Sequence, residues 1–88
     1  MLLLSGKLLR VEEVKGRRGV FKVYYVFNED VYKVYDFRKD SLISSGERDI
    51  EVSLSVRPVL FRGSIVFHAK GLVDGNQNRA PRVVGVKL

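Results

Sequence analysis

Asp49-Ile50-Glu51-Val52-Ser53-Leu54-Ser55-Val56 alternates polar and apolar residues without a break. A period of two over eight residues is the pattern of a half-buried β-strand, with Ile50, Val52, Leu54 and Val56 on the core face. Upstream, Val20-Phe21-Lys22-Val23-Tyr24-Tyr25-Val26-Phe27 and Val31-Tyr32-Lys33-Val34-Tyr35-Asp36-Phe37 are rich in β-branched and aromatic residues, the types that pack best on a pleated surface. Residues 4–14, 64–68 and 82–88 also read as strands. No helical stripe extends over ten residues, although one helical turn is expected at Asp40–Ser45, capped by Asp40 or Ser41.

The breaks coincide with turn chemistry. Lys15-Gly16-Arg17-Arg18-Gly19, Asn28-Glu29-Asp30 and Gly75-Asn76-Gln77-Asn78 separate strands, and Arg57-Pro58 is expected to interrupt the fourth because proline cannot donate to a central ladder. Five or six strands in 88 residues make one domain, residues 1–88, of all-β class. The expected architecture is a small five- to six-stranded OB-type barrel, closed so that no strand edge is left open, with an SH3-like barrel as the other candidate. A core of this size gains from dimerisation.

The hairpin over residues 20–37 decides which side chains face outward. An even-length loop at Glu29-Asp30 or Asn28–Val31 pairs Phe27 with Tyr32, Tyr25 with Val34 and Tyr24 with Tyr35, and paired residues share a face. The core face then carries Val23, Tyr25, Phe27, Tyr32 and Val34. The outer face carries Lys22, Tyr24, Val26, Lys33, Tyr35 and Phe37, an interleaving of rings and ammonium groups. A three-residue loop would instead set Lys33 opposite Tyr25 and move the binding face to Tyr25 and Tyr32; the even loop is the reading adopted.

Charge points to a polyanionic partner. The net charge is +6, distributed as +4 over residues 1–26, −3 over 27–51 and +5 over 52–88. Lys15, Arg17, Arg18 and Lys22 lie within eight residues around Gly16 and Gly19, so a bendable basic wing can track phosphates. Rings beside cations on an open sheet suit single strands, whose bases can stack while their phosphates are neutralised.

Other chemistry finds little support. There is no cysteine and only one histidine, His68, so neither a disulfide framework nor a two-histidine metal site exists in one chain. His68 reads as a surface or satisfied histidine. Glu12-Glu13 are strand neighbours that point to opposite faces, and Glu29-Asp30 reads as a solvated turn. No nucleophile elbow and no phosphate-binding Gly-Lys-Ser/Thr loop is present. No catalysis, cofactor or metal is expected. The first residues lack the basic leader and apolar run of a signal peptide, and no apolar stretch approaches the ~18 residues of a membrane helix. The expectation is a reduced, cytoplasmic domain (host cytoplasm if viral) without membrane association.

Ile50-Glu51-Val52-Ser53-Leu54-Ser55, the connection Arg57-Pro58-Val59-Leu60-Phe61-Arg62, then Gly63-Ser64-Ile65-Val66-Phe67 and Gly71-Leu72-Val73 resemble the gene-five-type single-stranded DNA-binding proteins of filamentous phages. Those proteins share the Leu-Ser step into a loop that ends in an aromatic and Gly-Ser, and the basic hairpin and tyrosine-rich strands upstream. The resemblance covers about 25 residues closely and most of the chain loosely. It implies a five-stranded OB-type barrel, a symmetric homodimer, and cooperative, sequence-tolerant coating of single-stranded DNA during phage DNA replication. DNA contacts would fall to Lys15, Arg17, Arg18, Lys22, Tyr24 and Tyr35, with Lys33 beside them on the sheet. The loop near the dimer axis would offer Phe61. Gapless matching around Gly63 puts Arg62 at that aromatic position, and the stretch from Asp74 to Leu88 is longer than the family pattern. An RNA-binding small barrel and a protein-interaction adaptor are the alternative functions.

Overall fold

The computed structural model describes residues 2–73. It contains five strands: β1 (Leu2–Gly16), β2 (Gly19–Asn28), β3 (Asp30–Asp36), β4 (Ile50–Phe61) and β5 (Ser64–Leu72). They close in the order β1-β2-β3-β5-β4. All pairings are antiparallel except β3 with β5, a short parallel contact of Val34 with Phe67 and Tyr35 with His68. The chain forms a small OB-type barrel, as the sequence led us to expect. The expected strand at 82–88, and the loop before it, lie outside the described residues.

Closure depends on β1, which serves two neighbours. Its first half pairs with β4, Leu2 opposite Val56 through Leu8 opposite Ile50, and its second half pairs with β2. The register with β2 shifts between Leu8 and Arg10, a bulge that bends the strand from one partner to the other. Gly6 sits where both partners crowd β1, and a Cβ there would lie 2.4 Å from the Phe27 carbonyl oxygen. No side chain fits at that crossing without moving backbone.

The core consists of Leu4, Leu8, Tyr24, Val26, Val34, Ile43, Val52, Leu54, Val56 and Ala69. The alternation holds over 51–56, where Val52, Leu54 and Val56 are buried and Glu51 is exposed, but Ile50, expected on the core face, is 39% exposed at the start of the strand. Ser53 is also buried, its hydroxyl 2.8 Å from that of Ser5. No helical turn forms at Asp40–Ser45. The segment from Phe37 to Asp49 is irregular, with a turn closed by a 3.1 Å bond from Glu47 N–H to the Ser44 carbonyl. It inserts Ile43 into the core instead. Side-chain acceptors from the barrel, rather than helical bonds, take up its backbone donors.

Two expectations need correction. Pro58 does not interrupt β4, which runs on to Phe61 with Pro58 opposite Phe67. Pairing of β4 with β1 ends at Val56, so the missing N–H falls on a two-stranded extension where proline is tolerated. The register of the β2–β3 hairpin is odd. Glu29 turns the chain with φ 65°, setting Phe27 opposite Val31, Tyr25 opposite Lys33 and Tyr24 opposite Val34. Tyr24 and Val26 therefore point into the core and Tyr25 and Phe27 away from it, the reverse of the expected assignment, while Val23 stays buried and Tyr32 and Val34 of β3 point inward as expected.

The physical reason for that register is visible beneath the sheet. Tyr24 is fully buried, and its hydroxyl donates to Asp36 Oδ2 at 2.5 Å. The same hydroxyl accepts from the Leu42 and Ile43 backbone N–H groups at 3.1 and 3.2 Å. Asp36, 1% exposed, also accepts from Leu42 N–H at 3.0 Å and Arg38 N–H at 3.0 Å. A buried phenol and a buried carboxylate are each costly without partners, and this register gives both a full set. Burial, and then the Asp36 hydrogen bond, raise the Tyr24 pKa far above its ordinary value, so the hydroxyl remains a donor.

Candidate nucleic-acid interface

Odd register turns Phe21, Tyr25 and Phe27 of β2 outward beside Lys33, Tyr35 and Phe37, with Val23 covered between them at 3% exposure. A ridge of rings results. Phe21 lies 4.8 Å from Phe37 and 6.3 Å from Tyr35 between centroids. Tyr35 and Phe37 are 6.1 Å apart with their planes 10° from parallel. His68 of β5 extends the ridge, 5.0 Å from Phe37 in an edge-on contact. Phe37 is 56% exposed, so its ring offers a face to a ligand rather than to the core.

Cations border the rings. The Arg10 guanidinium lies 4.1 Å over the Tyr25 ring and the Lys33 ammonium 5.8 Å from it. Tyr25 O–H donates to Glu12 Oε1 at 2.6 Å, and that bond is the first cause of a raised Tyr25 pKa. Its ring is thus held upright between two cations. Arg57 is the cross-strand partner of His68. Burial, followed by the charges of Lys70 and Arg57, lowers the His68 pKa, so at neutral pH it adds a neutral ring to the ridge.

The basic wing joins this face directly. Gly16 pairs with Gly19, leaving Arg17 and Arg18 at the tip of the β1–β2 hairpin, and Gly19 takes φ 127°. An open hollow of about 500 Å³ lies between Arg17 and Arg18 on one side and Phe21 and Phe37 on the other. Guanidinium groups and stacking rings therefore share one depression, the combination that a phosphate and its base require together.

The expected residues are partly brought together. Arg17, Arg18, Lys33 and Tyr35 belong to this surface, whereas Lys15, paired with Val20, lies on the face opposite Phe21. Tyr24 does not belong to it either: a ring with no exposed area has no face for a base, and Tyr25 occupies the outward position beside it. Lys22 leaves the ring face as well and donates to Ser41 Oγ at 2.9 Å beneath the sheet edge. Phe61 and Arg62 form a separate feature at the β4–β5 turn. Arg62 and Gly63 take φ 52° and 81°, the positive pair of a tight two-residue hairpin turn. There the Arg62 guanidinium lies 5.2 Å from the Phe61 ring centroid. By alternation Phe61 shares the outward face of β4–β5 with Arg57 and His68.

Phe21, Tyr25, Arg10 and His68 are the interface residues that strand-by-strand reading did not select, while Phe37 lies on the outer face as expected. The sequence signal that could have found them is Asp36. An acid two residues beyond inward-facing Val34 needs a buried donor, and only the odd register places the Tyr24 hydroxyl within reach. Among the described residues no group of three or more His, Cys, Asp or Glu side chains could hold a metal ion, and no helix is long and apolar enough to cross a membrane. Comparison with protein-family models, curated proteins and solved structures finds no match to this chain.

Proposed function

We propose that this protein binds single-stranded nucleic acid without strong sequence preference and, following the resemblance of its sequence to the gene-five-type proteins, coats single-stranded DNA during replication. One observation carries this reading: the ridge of Phe21, Tyr35, Phe37 and His68 opens into the hollow lined by Arg17 and Arg18. Every base has a π-face, so such a ridge accepts any sequence, while the wing arginines meet phosphates. Duplex DNA keeps its base faces stacked and gains nothing from the rings.

The β4–β5 hairpin supports self-association as part of the same function. Leu60, Phe61 and Ile65 are 74%, 56% and 61% exposed because the hairpin outruns the barrel. Neighbouring apolar side chains left uncovered at a turn mark an interaction surface. A homodimer joined there would carry two ring faces. The same hairpin is what favours the second reading, a protein-interaction adaptor whose partner docks on Leu60 and Phe61.

Titration of fluorescent oligo(dT), oligo(U) and a duplex of equal length at two salt concentrations tests the function. Tighter binding of oligo(dT) than of duplex is expected at moderate salt. Equal or stronger duplex binding refutes stacking as the mode, and no binding of any nucleic acid leaves the adaptor reading in possession of the hairpin.

A further inference from the structure

Beneath the rim of the ring face lies a second hollow, of about 240 Å³, lined among others by Phe21, Lys22, Arg38, Lys39 and Ser41. It shares Val20 and Phe21 with the wing hollow, so the two depressions adjoin at the start of β2. Three cations line it, and among the described residues none is held in an ion pair. Lys22 Nζ donates only to the neutral Ser41 hydroxyl, at 2.9 Å. Arg38 Nη1 donates to the Lys70 carbonyl at 2.5 Å, leaving the rest of its guanidinium fork uncommitted.

Two acids also border this hollow, and the three cations outnumber them. Asp36 has its carboxylate turned into the core, where the Tyr24 hydroxyl and two backbone N–H groups use its oxygens. Glu13 is the cross-strand partner of Lys22 but forms no ion pair with it. Once Ser41 Oγ has accepted from Lys22, its own proton is free to donate. Donors available toward one small space are therefore two further N–H groups of Lys22, the Ser41 O–H, the Lys39 ammonium and part of the Arg38 fork. That set is acceptor-free and positively charged, and suits a tetrahedral oxyanion.

We infer that this hollow is a phosphodiester-binding pocket that receives the strand backbone as it leaves the rings, so that a single strand runs from the wing over Phe21 and Phe37 to Lys22, Lys39 and Ser41. The inference rests on the single-strand function proposed above and gives that site a second anchoring point for the backbone. It also returns Lys22 to the site, by way of phosphate rather than of the sheet face.

The test uses the full chain, titrated with oligo(dT) and with an abasic phosphodiester strand of equal length at several salt concentrations. Lys39 has no hydrogen-bond or ion-pair partner among the described residues, so Lys39→Ala should leave the thermal melt unchanged. It should weaken both strands alike and flatten the slope of log affinity against log salt by about 0.7, the share of one phosphate on a single strand. Ser41→Ala should weaken both strands alike with the slope retained. Tyr35→Ala should weaken oligo(dT) alone. Wild-type binding of oligo(dT) with neither Lys39→Ala nor Ser41→Ala altering affinity overturns the pocket and leaves the function standing. Failure of the wild-type protein to bind either strand overturns both. Inorganic phosphate at matched ionic strength should move the Lys39 and Ser41 amide resonances far less than the abasic strand does. The reverse assigns the pocket to a free anion and overturns the inference.

Discussion

Replacing Tyr24 with phenylalanine removes one oxygen from the centre of the barrel. That oxygen donates to Asp36 and accepts from Leu42 and Ile43 N–H. Leu42 N–H keeps Asp36 Oδ2 as an acceptor at 3.0 Å, so it is not orphaned. Ile43 N–H loses its partner, and the Asp36 carboxylate, 1% exposed, loses its hydroxyl donor. A hydrogen bond to a charged group contributes about 1.5–3 kcal/mol, and the ring itself stays packed. Tyr24→Phe should therefore destabilise the fold by about 2–3 kcal/mol. In a domain of this size that lowers the melting temperature by roughly 8–24 °C. Thermal melts followed by circular dichroism read this directly. Oligo(dT) titration at a temperature where the variant remains folded should give wild-type affinity and salt slope. A melt unchanged by Tyr24→Phe, or a folded variant with weakened binding, would refute the odd register and restore Tyr24 to the outer face.

The other predictions concern surface residues and separate stacking from charge. Tyr35→Ala should cost roughly 1–3 kcal/mol of oligo(dT) affinity with the salt slope retained and the melt near wild type; Tyr35→Phe should bind normally, because stacking uses the ring. Arg17→Ala with Arg18→Ala should flatten the salt slope by roughly 1–1.4 while leaving the melt unchanged. The His68 pKa is lowered in the folded state, so its contribution to stability is intact above about pH 6.5. Stability should fall as pH drops from there through the lowered folded pKa, and His68→Phe should remove that component from a pH series of melts. Phosphates near His68 raise its pKa again, so wild-type affinity should rise from pH 7 to pH 5.5 and the His68→Phe profile should be flatter. Phe61→Glu should shift sedimentation at micromolar concentration from about twice the 10.0 kDa chain mass to a monomer, with the melt of the barrel preserved.

The class of fold was readable because its signals are local. Alternation over 50–56 specifies a strand with one buried face whatever it pairs with, and the glycine-flanked Arg17-Arg18 turn specifies a hairpin wherever it lies. Pro58 misled because a proline forbids only a ladder bond on the side where a partner exists. Whether β1 reaches that far depends on its register with β4, which sets Leu2 opposite Val56 and is fixed between segments distant in sequence. The expected helical turn at Asp40–Ser45 failed for a related reason: Tyr24 and Asp36, distant in sequence, satisfy the backbone donors of Leu42 and Ile43 better than a lone turn could.

The candidate interface divides along the same line. Residue types and spacing alone placed cations at 15–22 and interleaved rings with lysines over 20–37, and they assigned Lys33, Tyr35 and Phe37 to the outer surface. They did not fix which face of β2 is buried, because both carry apolar and aromatic side chains, and a slip of one residue exchanges the two faces. The tie was broken by polar satisfaction in three dimensions. Asp36 is inward in β3, a buried carboxylate demands a donor, and the Tyr24 hydroxyl can meet it only when Glu29 turns the hairpin with an odd register. Tyr25 thereby reaches the surface between Arg10 and Lys33, and Phe21 comes within 4.8 Å of Phe37 beside the wing.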